Sequence, residues 1–389
     1  MAKKTATPPP PDTPIPFIDL SISNQQVRAD SLAAITAVAE HGRFINGPEV
    51  SRLEASLASY LGATHTIGVS SGTDALLMSL MALDLGVGDE VITTPFTFIA
   101  TAGVLLRLGL RPVFADIDPV QLTIQPQMVR ALIGSRTRVI LPVHLFGRMC
   151  AVDELRTLAD RHGLTLIEDC AQSLGASLRG CSSGTFGHCG AFSFFPTKNL
   201  GGWGDGGLIA TSDDTLNARL RKIREHGGVR RDWYECVGGN FRLDTLQAAV
   251  LEVKARRLDE WLLMRRKAAR VYLQLFSESG LVQGEDGPVQ VPDPGDGEEH
   301  SFSLFVIQAR ERDALKVHLE RAGIGTAVYY PTPLHLQPVL QHLGYRVGSL
   351  PVAEQTAARV LALPFYPEIS RTQQEGVVET IIAFYARRA

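Results

Sequence analysis

The stretch 65–93, HTIGVSSGTDALLMSLMALDLGVGDEVIT, holds two short runs of β-branched and apolar residues separated by a segment with helical periodicity. The runs at 65–69 and 90–93 are typical of buried strands. Between them, apolar residues recur at the spacing of three and four that marks one helix face, at Leu76, Leu77, Leu80 and Leu83. A strand, a crossover helix and a second strand predict a parallel pair.

The same alternation continues along the chain. Further strands are predicted at 112–116, 138–143, 164–168, 191–195 and 207–211. Helical patterns separate most of these runs, and this rhythm predicts an α/β fold with a mainly parallel sheet covered by helices on both faces. A long helical pattern over 243–276 then suggests a connector. It is followed by a predicted strand at 301–307 and a helix at 314–322.

These patterns divide the chain into three regions. We expect a disordered proline-rich tail at 1–14, a large domain at 15–265 and a small C-terminal α+β domain at 266–389.

Composition excludes several classes of partner. The 389 residues carry a formal net charge of -3 with acids and bases interspersed, so no basic surface for nucleic acid is expected. The apolar stretch 133–146 is interrupted by charged residues and is too short to span a membrane. Five scattered cysteines, with no apolar signal segment at the start, predict a reducing, cytoplasmic location.

A single lysine stands in the segment 193–202, SFFPTKNLGG, between an apolar strand and a flexible loop. Burial makes a lysine amine neutral and nucleophilic more often, as a Schiff-base lysine requires. Lys198 is therefore a candidate catalytic residue. The alternative is a solvated loop charge.

An acid closes the strand in LIEDCAQ, 166–172, where ligands of parallel sheets bind. Asp169 is suited to keep a pyridine nitrogen protonated, and that proton makes a pyridoxal phosphate ring an electron sink. Gln172 is placed to donate a hydrogen bond to the ring's phenolate oxygen. Alternatively, Asp169 caps the following turn.

Small residues occupy a strand-to-helix junction at Ser71, Gly72 and Thr73. Free N–H groups and the dipole at a helix N-terminus bind anions, so these residues are candidates for holding a phosphate. Plain helix capping is the alternative. The same turn fits the G-x-S-x-G pattern of a serine hydrolase with Ser70 as nucleophile, and that alternative stays open here.

Nine motifs, in the same order, carry a family resemblance. They are PFIDL (16–20), INGPEV (45–50), SGTDAL (71–76), GDEVI (88–92), PVHLFG (142–147), ED (168–169), FSF (192–194) with Lys198, GG (206–207) and NFRLD (240–244). With them the chain resembles the DegT/DnrJ/StrS sugar-nucleotide aminotransferases. The resemblance implies a fold-type-I pyridoxal phosphate enzyme, with a seven-stranded, mainly parallel sheet in its large domain.

The resemblance also assigns roles to residues. It implies Lys198 as the Schiff-base lysine, Asp169 at the pyridine nitrogen and Gln172 at the ring oxygen. It implies that the phosphate is bound by Ser71, Gly72, Thr73 and Ser193, and by Asn240 of a neighbouring subunit. It also implies that Phe98 stacks on the ring and that Arg242 and His335 face the substrates. The alternatives are a core residue for Phe98 and a surface loop residue for His335. A homodimer with shared active sites is implied.

The implied reaction moves the amino group of L-glutamate onto a keto group of a nucleotide-linked sugar. The run after Asn240 is closer to relatives that aminate C3 than to those that aminate C4, which remains the alternative. Where relatives acting on 3-keto sugars often carry paired histidines, this chain has Trp233 and Tyr234. No metal site is predicted, because Cys170, Cys181, His188 and Cys189 match no zinc spacing.

Overall fold

A computed structural model of the chain describes residues 14–283, 287–293, 295 and 298–388. The predicted proline-rich tail lies outside the described residues except for Pro14. The strands are β1 His65–Val69, β2 Glu90–Thr93, β3 Arg111–Phe114, β4 Thr137–Leu141, β5 Thr165–Asp169, β6 Ser177–Leu178, β7 Cys181–Ser182, β8 Cys189–Ser193, β9 Gly207–Thr211, β10 Gly228–Arg230, β11 Trp233–Tyr234, β12 Val289–Gln290, β13 Glu298–Glu299, β14 Val306–Ala309 and β15 Val360–Ala362.

The helices alternate with these strands in the first half of the chain and dominate the end of it. They are α1 Ser21–His41, α2 Pro48–Leu61, α3 Gly72–Met81, α4 Ile99–Arg107, α5 Pro126–Leu132, α6 Val152–His162, α7 Asp214–Arg224, α8 Thr245–Ala255, α9 Leu258–Glu278, α10 Arg312–Arg321, α11 Pro351–Arg359 and α12 Arg371–Ala386. No helix within the described ranges is long and apolar enough to cross a membrane.

The central sheet has seven strands in the order β1-β9-β8-β5-β4-β2-β3. The pairs from β8 through β5, β4 and β2 to β3 are parallel, whereas β9 runs antiparallel to both β1 and β8. The predicted α/β fold with a mainly parallel, seven-stranded sheet is confirmed. Its buried strands bring the ends of β1, β5 and β8 to one edge, and the loops there form the site described below.

Two predicted elements are wrong. The long helix over 243–276 is two helices, because the chain turns at Arg256 and Arg257 between α8 and α9. The apolar periodicity continues across this turn, so the sequence does not reveal it. The predicted strand at 301–307 begins only at Val306, since the backbone before it docks on another loop: the Ser301 and Ser303 amides donate to the Gly147 and Phe146 carbonyls at 3.0 and 2.9 Å.

A second hydrophobic core lies beyond the sheet, around β14 and the last helices. Helix α9 connects this core to one that packs on the central sheet. Leu258 and Leu262 pack in the core at the sheet, whereas Ala268 and Tyr272 pack in the core around β14. Ile15, near the start of the described chain, also packs in the second core. The domain limits at 15–265 and 266–389 remain a prediction.

Candidate active site

A cavity of about 350 Å³ opens at the carboxyl ends of β1, β5 and β8. Its volume lies in the range of small-molecule binding sites. Most of the predicted site residues line it: Ser71, Gly72, Thr73, Phe98, Asp169, Gln172, Ser193 and Lys198. Sequence positions far apart are therefore brought together, as expected for loops that follow neighbouring strands.

Asp169 is the last residue of β5 and is buried. Thr101 Oγ1 donates to Asp169 Oδ2 at 2.8 Å, and the amide of Ala171 donates to Oδ1 at 3.1 Å. Burial raises the pKa of Asp169, while Thr101, Ala171 and the charge of Lys198 act in the opposite direction. One carboxylate oxygen thus serves the following turn, as the capping alternative predicts, but the side chain also lies in the cavity wall.

The Lys198 loop is a tight structure rather than a solvated one. The Lys198 amide donates to the Phe195 carbonyl at 2.8 Å, and a Cβ at Gly201 would lie 2.2 Å from the Pro196 oxygen. Burial lowers the pKa of Lys198, and Asp169 partly opposes this. The amine therefore lies in the cavity with more of the nucleophilic, neutral form than a surface lysine has.

The α3 N-terminus faces the cavity beside Ser193. Ser71 Oγ accepts from the amide of Asp74 at 3.0 Å, so this serine does cap the helix. A Cβ at Gly72 would lie 2.7 Å from Ser193 Cβ, so a side chain there would displace Ser193 from the cavity wall. The first amides of a helix lack intrahelical acceptors, which makes this corner suited to an anion.

Phe98 and Gln172 form further walls. Phe98 is 56% exposed and lines the cavity, so the core alternative for it is wrong. Gln172 Oε1 accepts from the Phe146 amide at 2.8 Å, and its Nε2 donates to Tyr330 Oη at 3.2 Å. Its side chain is held in place from both ends.

Three predicted residues lie elsewhere. Asn240 is exposed, and Arg242 Nη1 donates to Glu225 Oε2 at 3.0 Å, outside the cavity. His335 is 1% exposed, and its Nε2 pairs with Glu354 Oε1 at 3.0 Å. It is neither a surface loop residue nor a wall of the cavity. The turn before it carries the residues that do line the cavity, Tyr329 and Tyr330.

Comparison with known proteins places this geometry in a family. The sequence profile of the DegT/DnrJ/EryC1/StrS aminotransferase family matches residues 25–382. The chain is 46% identical to a "pleiotropic regulatory protein" of Geobacillus stearothermophilus, over 95% of this chain and 98% of that protein. It is 41% identical to a dTDP-3-amino-3,4,6-trideoxy-alpha-D-glucose transaminase of Streptomyces venezuelae, over 95% and 96%.

Comparison with solved structures indicates the same family as the sequence comparison. A crystal structure of S. venezuelae DesV in complex with a ketimine intermediate superposes with a TM-score of 0.92 at 39% identity, covering 97% of this chain and 100% of that one. The chain belongs to the DegT/DnrJ/EryC1/StrS aminotransferase family. It is a pyridoxal-phosphate-dependent aminotransferase of fold type I.

The residues of this aminotransferase fit the cofactor. A lysine whose pKa burial lowers, a buried carboxylate, and a glycine corner at a helix N-terminus line one cavity, as an aldehyde, a pyridine nitrogen and a phosphate require. Ser70 Oγ instead donates to Asp74 Oδ2 at 2.6 Å, and no histidine hydrogen-bonds to it in the described part of the chain. The aminotransferase thus lacks, in that part, the contact that a serine hydrolase needs.

Sequence reasoning missed one cluster beside the cavity. His144, Glu168 and Cys170 are the one group of potential metal ligands found close together among the described residues. Glu168 Oε2 pairs with His144 Nε2 at 2.8 Å and accepts from the Gly184 amide at 2.9 Å. Glu168 Oε1 accepts from two further amides, those of Phe186 and Gly187. The cluster is a buried hydrogen-bond network that fixes the loop before β8.

Sequence reasoning also missed Thr101 and Tyr330. Thr101 contacts a carboxylate 68 residues away, and Tyr330 contacts a glutamine 158 residues away. The only local signal is the spacing of Thr97 and Thr101, four residues apart around the start of α4.

Proposed function

We propose that this aminotransferase moves the amino group of L-glutamate onto the C3 keto group of a nucleotide-linked sugar. The observation that carries the proposal is the common cavity of Lys198 and Asp169, with Gly72 and Ser193 at its far corner. The relative named as a 3-amino sugar transaminase, at 41% identity over nearly its whole length, supports the substrate class and C3.

Each polar group has a task in this proposal. Lys198 would hold the cofactor covalently until the amino donor displaces it. Its free amine would then take the proton from Cα of the donor and later deliver a proton to the sugar carbon. Asp169, whose carboxylate accepts hydrogen bonds from Thr101 and Ala171, would keep the pyridine nitrogen protonated. When bound, pyridoxal phosphate supplies the electron sink that makes the Cα proton removable. The products are 2-oxoglutarate and an aminosugar nucleotide.

The remaining cavity walls bind and orient. Ser71, Gly72, Thr73 and Ser193 hold the phosphate at the α3 N-terminus. Phe98, which is exposed and lines the cavity, would stack on the ring of the cofactor. Gln172, held between the Phe146 amide and Tyr330, presents its amide to the ring oxygen.

We propose a homodimer in which Asn240 and Arg242 serve the site of the partner subunit. Both residues lie on a face outside their own cavity, next to Glu225. Large apolar side chains are exposed near these residues: Trp233 at 54%, and Ile45 at 50%, whose backbone pairs with that of Asp244. A second copy covering this face would bury them.

We also propose a cytoplasmic location, which the five unpaired cysteines support.

The experiment is an assay with UDP- and dTDP-linked 3-keto and 4-keto sugars and L-glutamate. We expect 2-oxoglutarate and a 3-amino sugar, detected by mass spectrometry, with Lys198→Ala as the inactive control. Turnover of 4-keto sugars alone would overturn the C3 assignment. Cofactor binding without turnover of any ketosugar would favour a regulatory protein, as the name of the Geobacillus stearothermophilus relative suggests.

A further inference from the structure

Two buried hydroxyl groups stand behind Asp169. Thr101 is 1% exposed and Thr97 is 3% exposed, and Thr101 Oγ1 donates to Asp169 Oδ2 at 2.8 Å. Thr97 Oγ1 lies 3.0 Å from Thr101 Oγ1. A hydroxyl has one proton, so with the Thr101 proton on the carboxylate, Thr97 is the donor in the second contact. Both hydroxyl dipoles therefore point toward Asp169.

This arrangement differs from the ordinary use of hydroxyls in this chain. Inside helices, serine and threonine hydroxyls donate to the carbonyl four residues back, as at Thr36, Ser79, Thr157 and Thr380. Thr101 occupies the first turn of α4 and donates instead across the sheet edge, to a residue 68 positions away. Thr97 has no other hydrogen bond within the described ranges. Valine would fill the same space, so the hydroxyls serve the carboxylate and not the packing.

The carboxylate faces charges and hydroxyls from several elements. Lys198 follows β8, His144 follows β4, and Tyr330 lies in the C-terminal part of the chain. Thr101 and Ala171 each give one hydrogen bond to one oxygen, which leaves acceptor capacity on both oxygens. Burial raises the pKa of Asp169, and the Thr101 hydroxyl acts against this rise, so the hydroxyl favours the charged carboxylate.

We propose that Thr101, backed by Thr97, is a positioning residue of the active site that holds Asp169 as an oriented carboxylate for the pyridine nitrogen. The inference rests on the proposed function only in the role of Asp169 toward the cofactor. The turn that places Phe98 in the cavity thus also supplies the hydroxyl that fixes the acid that would pair with the pyridine nitrogen.

The test compares Thr101→Val, which removes the hydroxyl, with Thr101→Ser, which keeps it. The readouts are the dissociation constant of pyridoxal phosphate from the apo-protein and the pH at which the visible absorbance of the bound cofactor changes. Thr101→Val should weaken cofactor binding about tenfold, as expected for a lost hydrogen bond to a charged group, and should shift that absorbance titration. Thr101→Ser should restore both.

Thr93→Val is the matched control, because Thr93 is equally buried and donates to the Leu141 carbonyl at 2.7 Å, away from Asp169. Thr97→Val should move both readouts in the same direction by less, and it replaces Thr101→Val if that variant fails to fold. Equal effects of Thr93→Val and Thr101→Val, or no rescue by serine, would overturn the inference. Neither readout needs a ketosugar, so failure of the proposed substrate would be seen separately.

Discussion

Asp169 and Glu225 are two carboxylates with contrasting surroundings. Asp169 is 4% exposed in the cavity wall, where it accepts hydrogen bonds from the Thr101 hydroxyl and the Ala171 amide. Glu225 is partly exposed and accepts hydrogen bonds from the side chains of Asn46 and Arg242 on a face outside the cavity. The difference teaches that the donors to Asp169 lie inside the cavity, whereas the polar groups around Glu225 lie on the outer face that we propose a partner subunit covers.

The largest effect is expected inside the cavity. Lys198→Ala should lower kcat by at least about 10³-fold, because both the covalent link and the proton carrier are lost. Borohydride reduction of the wild-type holoenzyme, followed by peptide mapping, should place the label on Lys198. Lys254 provides a demanding comparison, since burial lowers its pKa to about 8. A label on Lys254 would refute the assignment.

The face around Glu225 is tested by mixing subunits. Arg242→Ala and Lys198→Ala should each be inactive as pure proteins. If Arg242 serves the partner's site, mixed dimers hold one site with neither change, and activity should return to about a quarter of wild type. Activity is measured after joint refolding, and dimer formation is checked by size-exclusion chromatography. An inactive mixture containing mixed dimers would show that each site is built within one chain.

A smaller effect is expected at the phosphate corner. Gly72→Ala places a Cβ 2.7 Å from Ser193 Cβ, and the resulting displacement should weaken pyridoxal phosphate binding about tenfold. Gly103→Ala is the control, because a Cβ there meets nothing within 4 Å and the residue lies inside α4. Fluorescence titration of both apo-proteins measures the difference. Equal affinities would show that the corner is not the phosphate site.

The smallest effect concerns the pair of His335 and Glu354, which lies away from both regions. Burial alone would raise the pKa of Glu354, but the Gly348 amide, His335 and the Leu350 amide lower it below its ordinary value. A lowered carboxylate pKa adds stability above the ordinary pKa, and this stability is lost as pH falls through the folded-state pKa. Glu354→Gln should therefore cost about 1 kcal/mol at neutral pH and less in acid. Thermal unfolding across pH measures this.

A comparison variant separates structure from substrate binding there. His335→Gln should lower the melting temperature while leaving KM for the sugar nucleotide unchanged. A large rise in KM without loss of stability would return His335 to the substrate site.

The sequence predicted elements well where local chemistry alone sets them. Strand β9 begins and ends at the predicted residues, Gly207 and Thr211, because glycines precede it and polar residues follow it. The strand predicted at 301–307 was wrong, since the Phe146 and Gly147 carbonyls, more than 150 positions away, hold its first residues. Tertiary hydrogen bonds of this kind leave no periodicity in the sequence.

The candidate site shows the same division. Lys198, Asp169 and the turn at Ser71 are set by motifs that follow individual strands, so pattern and resemblance located them. Thr101 and Tyr330 reach the cavity only through the packing of α4 and the C-terminal part of the chain against the sheet edge. The misplacement of His335 has a related cause: its motif reaches the cavity, but through the tyrosines at 329 and 330.

The docking of the segment 301–303 on Phe146 and Gly147 constrains the backbone of this part of the cavity wall more than its side chains. Two main-chain hydrogen bonds make the contact, together with one from Ser301 Oγ to the Gly147 carbonyl at 3.4 Å. Gly147, with φ +95°, has no room for a side chain, since a Cβ would lie 2.6 Å from Ser301 Oγ. Ser303 and Leu304, which line the cavity, contribute no side-chain bond to this docking. Exchanging those two side chains would therefore change the lining of the cavity without removing a hydrogen bond that holds its wall in place.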